Sequence, residues 1–103
     1  MSAAERVRID VWLWRARLVK TRASAAALVT EGAVRLVRPS SSRALDKASH
    51  AVGPGDVLAF AQRGRLRLVR VEALGARRGP PAEARALYAD LEAEPKTDLG
   101  GLA

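Results

Sequence analysis

Apolar residues near the start of the chain recur at helical spacing. Ile9, Leu13 and Ala16 follow an i, i+4, i+7 pattern, which places them on one face of a helix. Asp10 lies near the start of this segment, where the positive end of a helix dipole favours a carboxylate. The pattern predicts a first helix over residues 9–19.

A short basic segment, Lys20-Thr21-Arg22, interrupts this first helix. Thr21 is a suitable N-cap, because its hydroxyl can accept a hydrogen bond from the first turn of a following helix. The alanine-rich segment 22–30 predicts that second helix, and Gly32 suits a C-terminal cap in the left-handed conformation. The two helices are therefore expected to meet at an exposed basic corner.

Beyond the second helix the apolar residues alternate with polar ones, as they do along β-strands. This alternation predicts strands over residues 33–37, 57–61 and 65–74. The intervening segments are rich in proline, glycine and serine, and they predict a loop at 38–43, a tight turn at 52–56 and a hairpin turn at 62–64.

Alternation is clearest in the third strand, where leucine and valine alternate with arginine. Leu66, Leu68 and Val71 are expected on the buried face, with a slip in phase near Val69. The arginines between them would mark the face of the sheet that contacts solvent.

Helical spacing returns near the C-terminus and predicts an amphipathic helix over residues 81–94 that begins with proline. The apolar face of this helix would comprise Ala84, Leu87, Tyr88 and Leu91. Two helices, a small antiparallel sheet and a C-terminal helix together define an α+β fold.

Composition narrows the classes of function. The 103 residues suffice for one domain and leave no room for a second, catalytic one. The absence of cysteine excludes disulfides, thiolate nucleophiles and cysteine-based zinc sites, and a single histidine leaves little for other metals. No apolar run approaches the ~18 residues of a membrane span. We therefore predict a cytoplasmic protein with no cofactor, no metal and no membrane contact.

Charge is distributed unevenly along the chain. Lysine and arginine total 18 against 11 aspartate and glutamate residues, and the net charge is +7. Residues 1–80 carry 16 basic and 6 acidic side chains, whereas residues 81–103 carry 2 and 5. A basic body suits a polyanion such as nucleic acid, but a solvated arginine-rich surface would have the same composition. Charge alone leaves both interpretations open.

Basic residues concentrate in the two N-terminal helices. Arg8, Arg15 and Arg22 are seven positions apart, so the first two share one helix face if the helix is continuous. Guanidinium groups bind phosphate through paired hydrogen bonds and also stack on exposed bases. These arginines and the exposed basic corner together predict a surface that holds folded RNA.

Trp12 and Trp14 point about 200° apart on a helix, and we expect both to pack within the protein.

The same stretch resembles the S4 RNA-binding domain. The residues that carry the resemblance are Arg8-Ile9-Asp10, Leu13, Lys20-Thr21-Arg22-Ala23, Ala26, Gly32, Val34 and Gly55-Asp56. The fuller string from Arg8 to Arg22 is similar to one branch, the small S4-domain heat-shock proteins that bind the large ribosomal subunit. The later segment Arg77-Arg78-Gly79-Pro80 also resembles that branch.

This resemblance implies that the two helices pack on the sheet and bind RNA through their exposed basic face. It also implies a role on free large subunits that carry a stalled nascent chain, in their rescue or recycling. The residues implied to bind RNA are Arg8, Arg15, Arg17, Lys20, Thr21, Arg22 and Arg35. Arg77 and Arg78 form either a second phosphate contact or a solvated connector.

The resemblance also suggests a division of the chain. We expect a flexible arm at residues 1–6, an S4-like domain at 7–74, a connector and C-terminal helix at 75–94, and a flexible tail at 95–103. The partner is expected to be RNA, with the large ribosomal subunit favoured, and the protein is expected to be a monomer. The family usually has an Asn-Gly turn after its first strand, where this chain has the longer segment 37–43.

Two other functions remain open from the sequence. Two helices joined by a short turn also suit a helix-turn-helix protein that binds DNA, although the second helix has few side chains that could read bases. An S4 domain can also serve as an accessory to an RNA-modifying enzyme. The chain has no combination of nucleophile and base and no metal-ligand cluster, so we predict a binding protein rather than an enzyme.

Overall fold

The computed structural model of the protein describes residues 5–62 and 64–91. The predicted flexible tail at 95–103 lies outside these ranges, as do residues 1–4 of the predicted arm. In the described part of the chain, no helix has the length and apolar character that crossing a membrane requires.

The described chain contains three short helices and seven strands. The helices are α1 (Ile9–Arg15), α2 (Arg22–Thr30) and α3 (Pro81–Arg85). The strands are β1 (Val7–Arg8), β2 (Val34–Arg38), β3 (Ser41–Ala44), β4 (Ala51–Val52), β5 (Val57–Gln62), β6 (Arg65–Val71) and β7 (Tyr88–Asp90).

Five of the strands form one antiparallel sheet in the order β3-β2-β5-β6-β7. A separate pairing of β1 with β4 ties the start of α1 to the chain before β5. The backbone N–H of Ile9 donates to the carbonyl of His50 at 2.8 Å in the same region. The predicted α+β fold is thus confirmed, with the two N-terminal helices packed on one face of the sheet.

The hydrophobic core lies between these two helices and the sheet. Its buried residues are Ile9, Trp12, Leu13, Ala16, Leu18, Ala25, Val29, Val34, Leu36, Leu45, Val52, Leu58, Phe60, Val69, Val71 and Leu87. Trp12 is fully buried, and its indole N–H donates to the carbonyl of Ala73 at 2.9 Å. That bond satisfies the one polar group of the indole and fixes the chain after β6 against α1.

The second helix has the bounds that the sequence predicts. The backbone N–H of Ser24 donates to the Thr21 hydroxyl at 2.9 Å, which confirms Thr21 as the N-cap. Gly32 has a φ of +78°, a conformation that a residue without Cβ adopts without strain. Local chemistry therefore sets both ends of α2.

The first helix is shorter than predicted and ends at Arg15 rather than near residue 19. The chain turns sharply at Arg17, a non-glycine residue with a φ of 58°. The turn buries Leu18, whose N–H donates to the carbonyl of Leu13 at 3.0 Å. Apolar residues past the helix thus remain in the core, and their spacing alone does not reveal where the helix ends.

The segment predicted as a loop at residues 38–43 contains most of strand β3. Arg38 pairs with Ser41, so Pro39 and Ser40 form a two-residue turn between β2 and β3. All four residues of β3 are exposed at the edge of the sheet. Because no side chain of β3 enters the core, the sequence lacks the alternation that would have predicted a strand.

The C-terminal helix begins at Pro81 as predicted but ends at Arg85. The chain then forms β7, in which Tyr88 pairs with Val71 of β6. The open edge of β6 provides backbone hydrogen bonds for this segment, and Leu87, which precedes β7, is buried. The last three residues of the predicted helix, 92–94, lie outside the described ranges.

The predicted buried face of β6 is correct at Val71 and wrong at Leu66 and Leu68. Val69 and Val71 face the core, whereas Leu66 and Leu68 lie on the opposite face of the sheet. The Leu66 side chain is 61% exposed. The arginine at position 67 is half-buried on the core side at the end of the strand, where it hydrogen-bonds to the side chain of Gln62.

Candidate nucleic-acid interface

The turn between α1 and α2 and the connector at residues 75–80 lie side by side. The surface that we call the corner is formed by the end of α1, this turn and the connector residues that hydrogen-bond to them, Gly75, Arg78 and Gly79. Arg15 at the end of α1 donates from Nη1 to the carbonyl of Gly75 at 2.9 Å. Arg17 in the turn donates from Nε to the carbonyl of Gly79 at 2.6 Å. Both bonds orient a guanidinium while leaving its positive charge intact, because a carbonyl is neutral.

Arg78 makes the reciprocal contacts from the connector to the helices. Its Nε donates to the carbonyl of Trp14 at 3.0 Å, and its Nη2 donates to the carbonyl of Val19 at 3.3 Å. Arg78 is half-buried and lies at the corner, and whether it contacts a phosphate stays a prediction. The sequence contains no signal for this position beyond the Arg-Arg pair.

The Trp14 ring lies between the core and the corner and is half-buried. The guanidinium carbons of Arg22 and Arg78 each lie 5.9 Å from the ring centroid. These are cation–π distances, so the indole helps to hold two positive groups in place without neutralising them.

Lys20, Thr21 and Arg22 are exposed at the corner. Within the described residues, neither the lysine nor the arginine has a carboxylate oxygen within salt-bridge distance. The hydroxyl of Thr21 is engaged in capping α2. The corner therefore combines three arginines oriented by backbone carbonyls, Arg15, Arg17 and Arg78, with two exposed cations, Lys20 and Arg22.

A pocket of about 610 Å³ opens at the corner, between the turn and the end of β5. Its lining residues are Arg17, Leu18, Val19, Lys20, Ser24, Gln62 and Arg78. Gln62 was predicted only as part of a hairpin turn, and its amide donates to the carbonyl of Leu18. A glutamine at the end of a strand carries no distinguishing pattern in the sequence.

Arg8 is not brought to the corner. It precedes the first residue of α1, at the opposite end of that helix from the turn. Its Nε and Nη2 donate to the two carboxylate oxygens of Asp10 at 3.0 and 2.9 Å. These hydrogen bonds and the adjacent negative charge raise the pKa of the Arg8 guanidinium. The pair satisfies a buried carboxylate and locally cancels the charge of the arginine.

Arg77 and Arg35 are also engaged elsewhere. Arg77 is paired with Glu83, with its Nη2 2.8 Å from Oε1, and the contact raises the pKa of the guanidinium. Arg35 lies on the face of the sheet that points away from the helices, and it donates to the carbonyl and hydroxyl of Ser42 at 3.2 Å. Of the nine candidate residues, the structure brings together six, which are Arg15, Arg17, Lys20, Thr21, Arg22 and Arg78.

Comparisons with known proteins identify the family. Residues 7–36 match the family model of the S4 domain, and this range includes both N-terminal helices and the turn between them. The heat shock protein 15 homolog of Haemophilus influenzae is 35% identical over 94 residues, which cover 91% of this chain and 68% of that protein.

A solved structure shares the fold as well as the sequence. It is the trimeric structure of Vibrio cholerae heat shock protein 15, which matches with a TM-score of 0.71 and 32% identity. The match covers 84% of this chain and 82% of the other. This chain therefore belongs to the heat shock protein 15 family of S4-domain RNA-binding proteins.

Proposed function

We propose that the protein binds ribosomal RNA of the large subunit through the corner, in the rescue or recycling of large subunits that carry stalled nascent chains. The observation that supports this proposal is the cluster of oriented cations that no described carboxylate neutralises. Arg15, Arg17, Lys20, Arg22 and Arg78 present these charges on one surface.

Binding at this surface follows from elementary electrostatics. Each phosphate that meets a guanidinium or ammonium group releases condensed counterions, which gives affinity that decreases with salt. Structured RNA is recognised largely by shape and backbone contacts, because the deep groove of its helices is closed to side chains. A rigid corner of positive charge suits this kind of recognition and requires no catalytic step.

The proposal of a large-subunit target draws on the family. Both relatives are heat shock proteins 15. The sequence from Arg8 to Arg22 resembles the branch of S4-domain heat-shock proteins that bind the large ribosomal subunit. We accordingly place the protein in the cytoplasm, with the large subunit as its partner.

Co-sedimentation through sucrose gradients tests this target. The purified protein is mixed with small subunits, large subunits or intact ribosomes at two salt concentrations. We expect selective migration with free large subunits that weakens at the higher salt concentration. Equal binding to all three particles, or to none, would contradict the large-subunit proposal.

A helix-turn-helix protein that binds DNA is the second candidate. The exposed residues of α2 after Arg22 are mostly small, with Ala23, Ser24 and Ala27 among them. Such side chains are too short to read base edges in a major groove. Competition between RNA and DNA duplexes of matched sequence separates the two functions, and preferential binding of DNA would overturn ours.

The oligomeric state of the protein is measured alongside its RNA binding. The Vibrio cholerae relative is described as trimeric, whereas the sequence of this chain led us to expect a monomer. Sedimentation velocity of the free protein and of its RNA complex measures the state directly. A trimer in the free protein would contradict the expected monomer and would triple the number of corners available to one RNA.

A further inference from the structure

We propose that the pocket at the corner receives a single unpaired nucleotide of the bound RNA. The proposal rests on the RNA-binding function above and adds a specific feature of the RNA to it. Three cationic side chains line the pocket, from Arg17, Lys20 and Arg78, and no acidic residue does. The ligand that this lining favours is an anion.

The other residues that line the pocket favour a ligand that also has an apolar part. Leu18 is buried and Val19 half-buried at the pocket, and Ser24 and Gln62 contribute polar groups to its wall. A simple phosphate would leave the apolar part of this lining uncovered. A nucleotide has both an anionic phosphate and a flat base that can cover aliphatic side chains or stack on a guanidinium plane.

The volume of the pocket restricts the ligand independently of its charge. The pocket volume of about 610 Å³ lies within the range of small-molecule sites, which is roughly 300–1,000 Å³. One nucleotide fits a pocket of this size, whereas the bases of a continuous duplex are stacked and cannot enter it. The occupant must therefore be a nucleotide that has left the stack, as in a bulge or a loop.

The walls of the pocket are fixed before RNA arrives. Arg17 is held by its bond to the Gly79 carbonyl, and Arg78 by its bond to Val19. Gln62 bridges two elements, since its amide donates to the Leu18 carbonyl and its Oε1 accepts from Arg67 at 2.9 Å. In the described structure, the Nη groups of Arg17 make no hydrogen bond to protein, so they can donate to a phosphate of the RNA.

Two RNA hairpins that differ by one bulged nucleotide test the proposal. Binding to each is measured by fluorescence anisotropy with the whole chain. Base stacking and burial in similar sites contribute roughly 1–3 kcal/mol per base, so we expect the native protein to prefer the bulged hairpin by about tenfold. Ser24→Leu extends an apolar side chain into the pocket. It keeps the backbone N–H that Thr21 caps and removes the exposed Ser24 hydroxyl that accepts from Thr21 at 2.8 Å.

A matched variant on the same helix provides the control. Ala27 is exposed on α2 but does not line the pocket, so Ala27→Leu adds a similar side chain elsewhere. Ser24→Leu should lose the preference for the bulge and keep its affinity for the uninterrupted hairpin, whereas Ala27→Leu should keep both. Equal loss of affinity for both hairpins in Ser24→Leu would overturn the pocket as a nucleotide site.

Fluorescence of 2-aminopurine gives a test that does not depend on a variant folding. With the fluorescent base at the bulge, binding should change its emission, and with the same base in the stem it should not. A native protein that binds both hairpins equally overturns this proposal but leaves RNA binding intact. Failure to bind either hairpin overturns the proposed function itself. If free mononucleotide at a comparable concentration displaces the bulged hairpin from the protein, the pocket is a site for free nucleotides instead.

Discussion

Arginines at the corner and arginines on the sheet have different partners. At the corner, Arg15 and Arg17 donate to backbone carbonyls of the connector. On the sheet, Arg67 pairs with Asp90 at 3.1 Å and Arg70 pairs with Glu72 at 2.7 Å. Arginine is therefore a preorganised positive group at the corner, whereas Arg67 and Arg70 on the sheet are each half of an ion pair.

This difference shows why a count of basic residues is a poor guide to a nucleic-acid site. A carbonyl fixes the position of a guanidinium and reduces the conformational entropy that binding would otherwise cost. A carboxylate also fixes it but cancels its charge, so a phosphate must compete with the resident partner. Only the first arrangement prepares an arginine for a polyanion.

Reversal of charge at the corner should have the largest effect. Lys20→Glu with Arg22→Glu places two negative groups where phosphates are expected, and affinity for structured RNA should fall on the order of 100-fold. Both side chains are exposed, so circular dichroism and the melting temperature should stay close to those of the native protein. Filter binding at fixed salt measures the loss.

A matched reversal on the sheet makes the comparison specific. Arg38 and Arg70 are exposed at the end of the sheet opposite to Gln62, and Arg38→Glu with Arg70→Glu changes the net charge equally. Through long-range attraction alone, this variant should lose only a few-fold in affinity. Equal losses in the two double variants would mean that net charge, rather than the corner, determines binding.

Arg77 and Arg78, which are adjacent in the chain, provide a second contrast, and the expected difference between their variants is of intermediate size. Arg78→Ala removes hydrogen bonds from a charged group to two carbonyls, and should lower the free energy of unfolding by about 1–3 kcal/mol and weaken RNA binding. Arg77→Ala removes only an exposed pair with Glu83 and should leave the melting temperature almost unchanged. Urea unfolding of both variants checks this, and a greater loss for Arg77→Ala would contradict the assigned roles.

The smallest expected effect concerns the salt dependence of binding. Arg22→Ala should reduce the slope of log K against log salt by roughly 0.7 to 0.9, because one phosphate contact is lost. Arg77→Ala should change the slope less, since Glu83 already neutralises that arginine. A series of binding curves at four salt concentrations measures both slopes. An unchanged slope in Arg22→Ala would remove this residue from the interface.

Features governed by local chemistry could be predicted from the sequence. The bounds of α2 follow from Thr21 and from Gly32, each of which acts through its own side chain or lack of one. The end of α1 could not, because Arg17 adopts a left-handed conformation that tertiary contacts impose. Strand β3 was missed because it has no buried side chain, and β7 because its apolar spacing also fits a helix.

The sequence also predicted part of the candidate site. Sequence position alone correctly placed Lys20, Thr21 and Arg22 at an exposed corner. It could not distinguish Arg78 from Arg77, because the partner of each depends on how the connector folds back. The pocket itself depends on Gln62 of β5 meeting the turn after α1, a contact between residues 44 positions apart.

Mapping of the RNA-contacting surface by nuclear magnetic resonance tests the role of the corner most directly. Backbone amides of the isotope-labelled protein are followed during titration with a structured RNA hairpin. If the corner binds RNA, the largest shifts will fall on residues 15–24 and 75–79 and on Gln62, and residues 36–38, 40–44 and 66–71 will change little. Shifts concentrated on those two sheet segments, with the corner unaffected, would contradict the assignment.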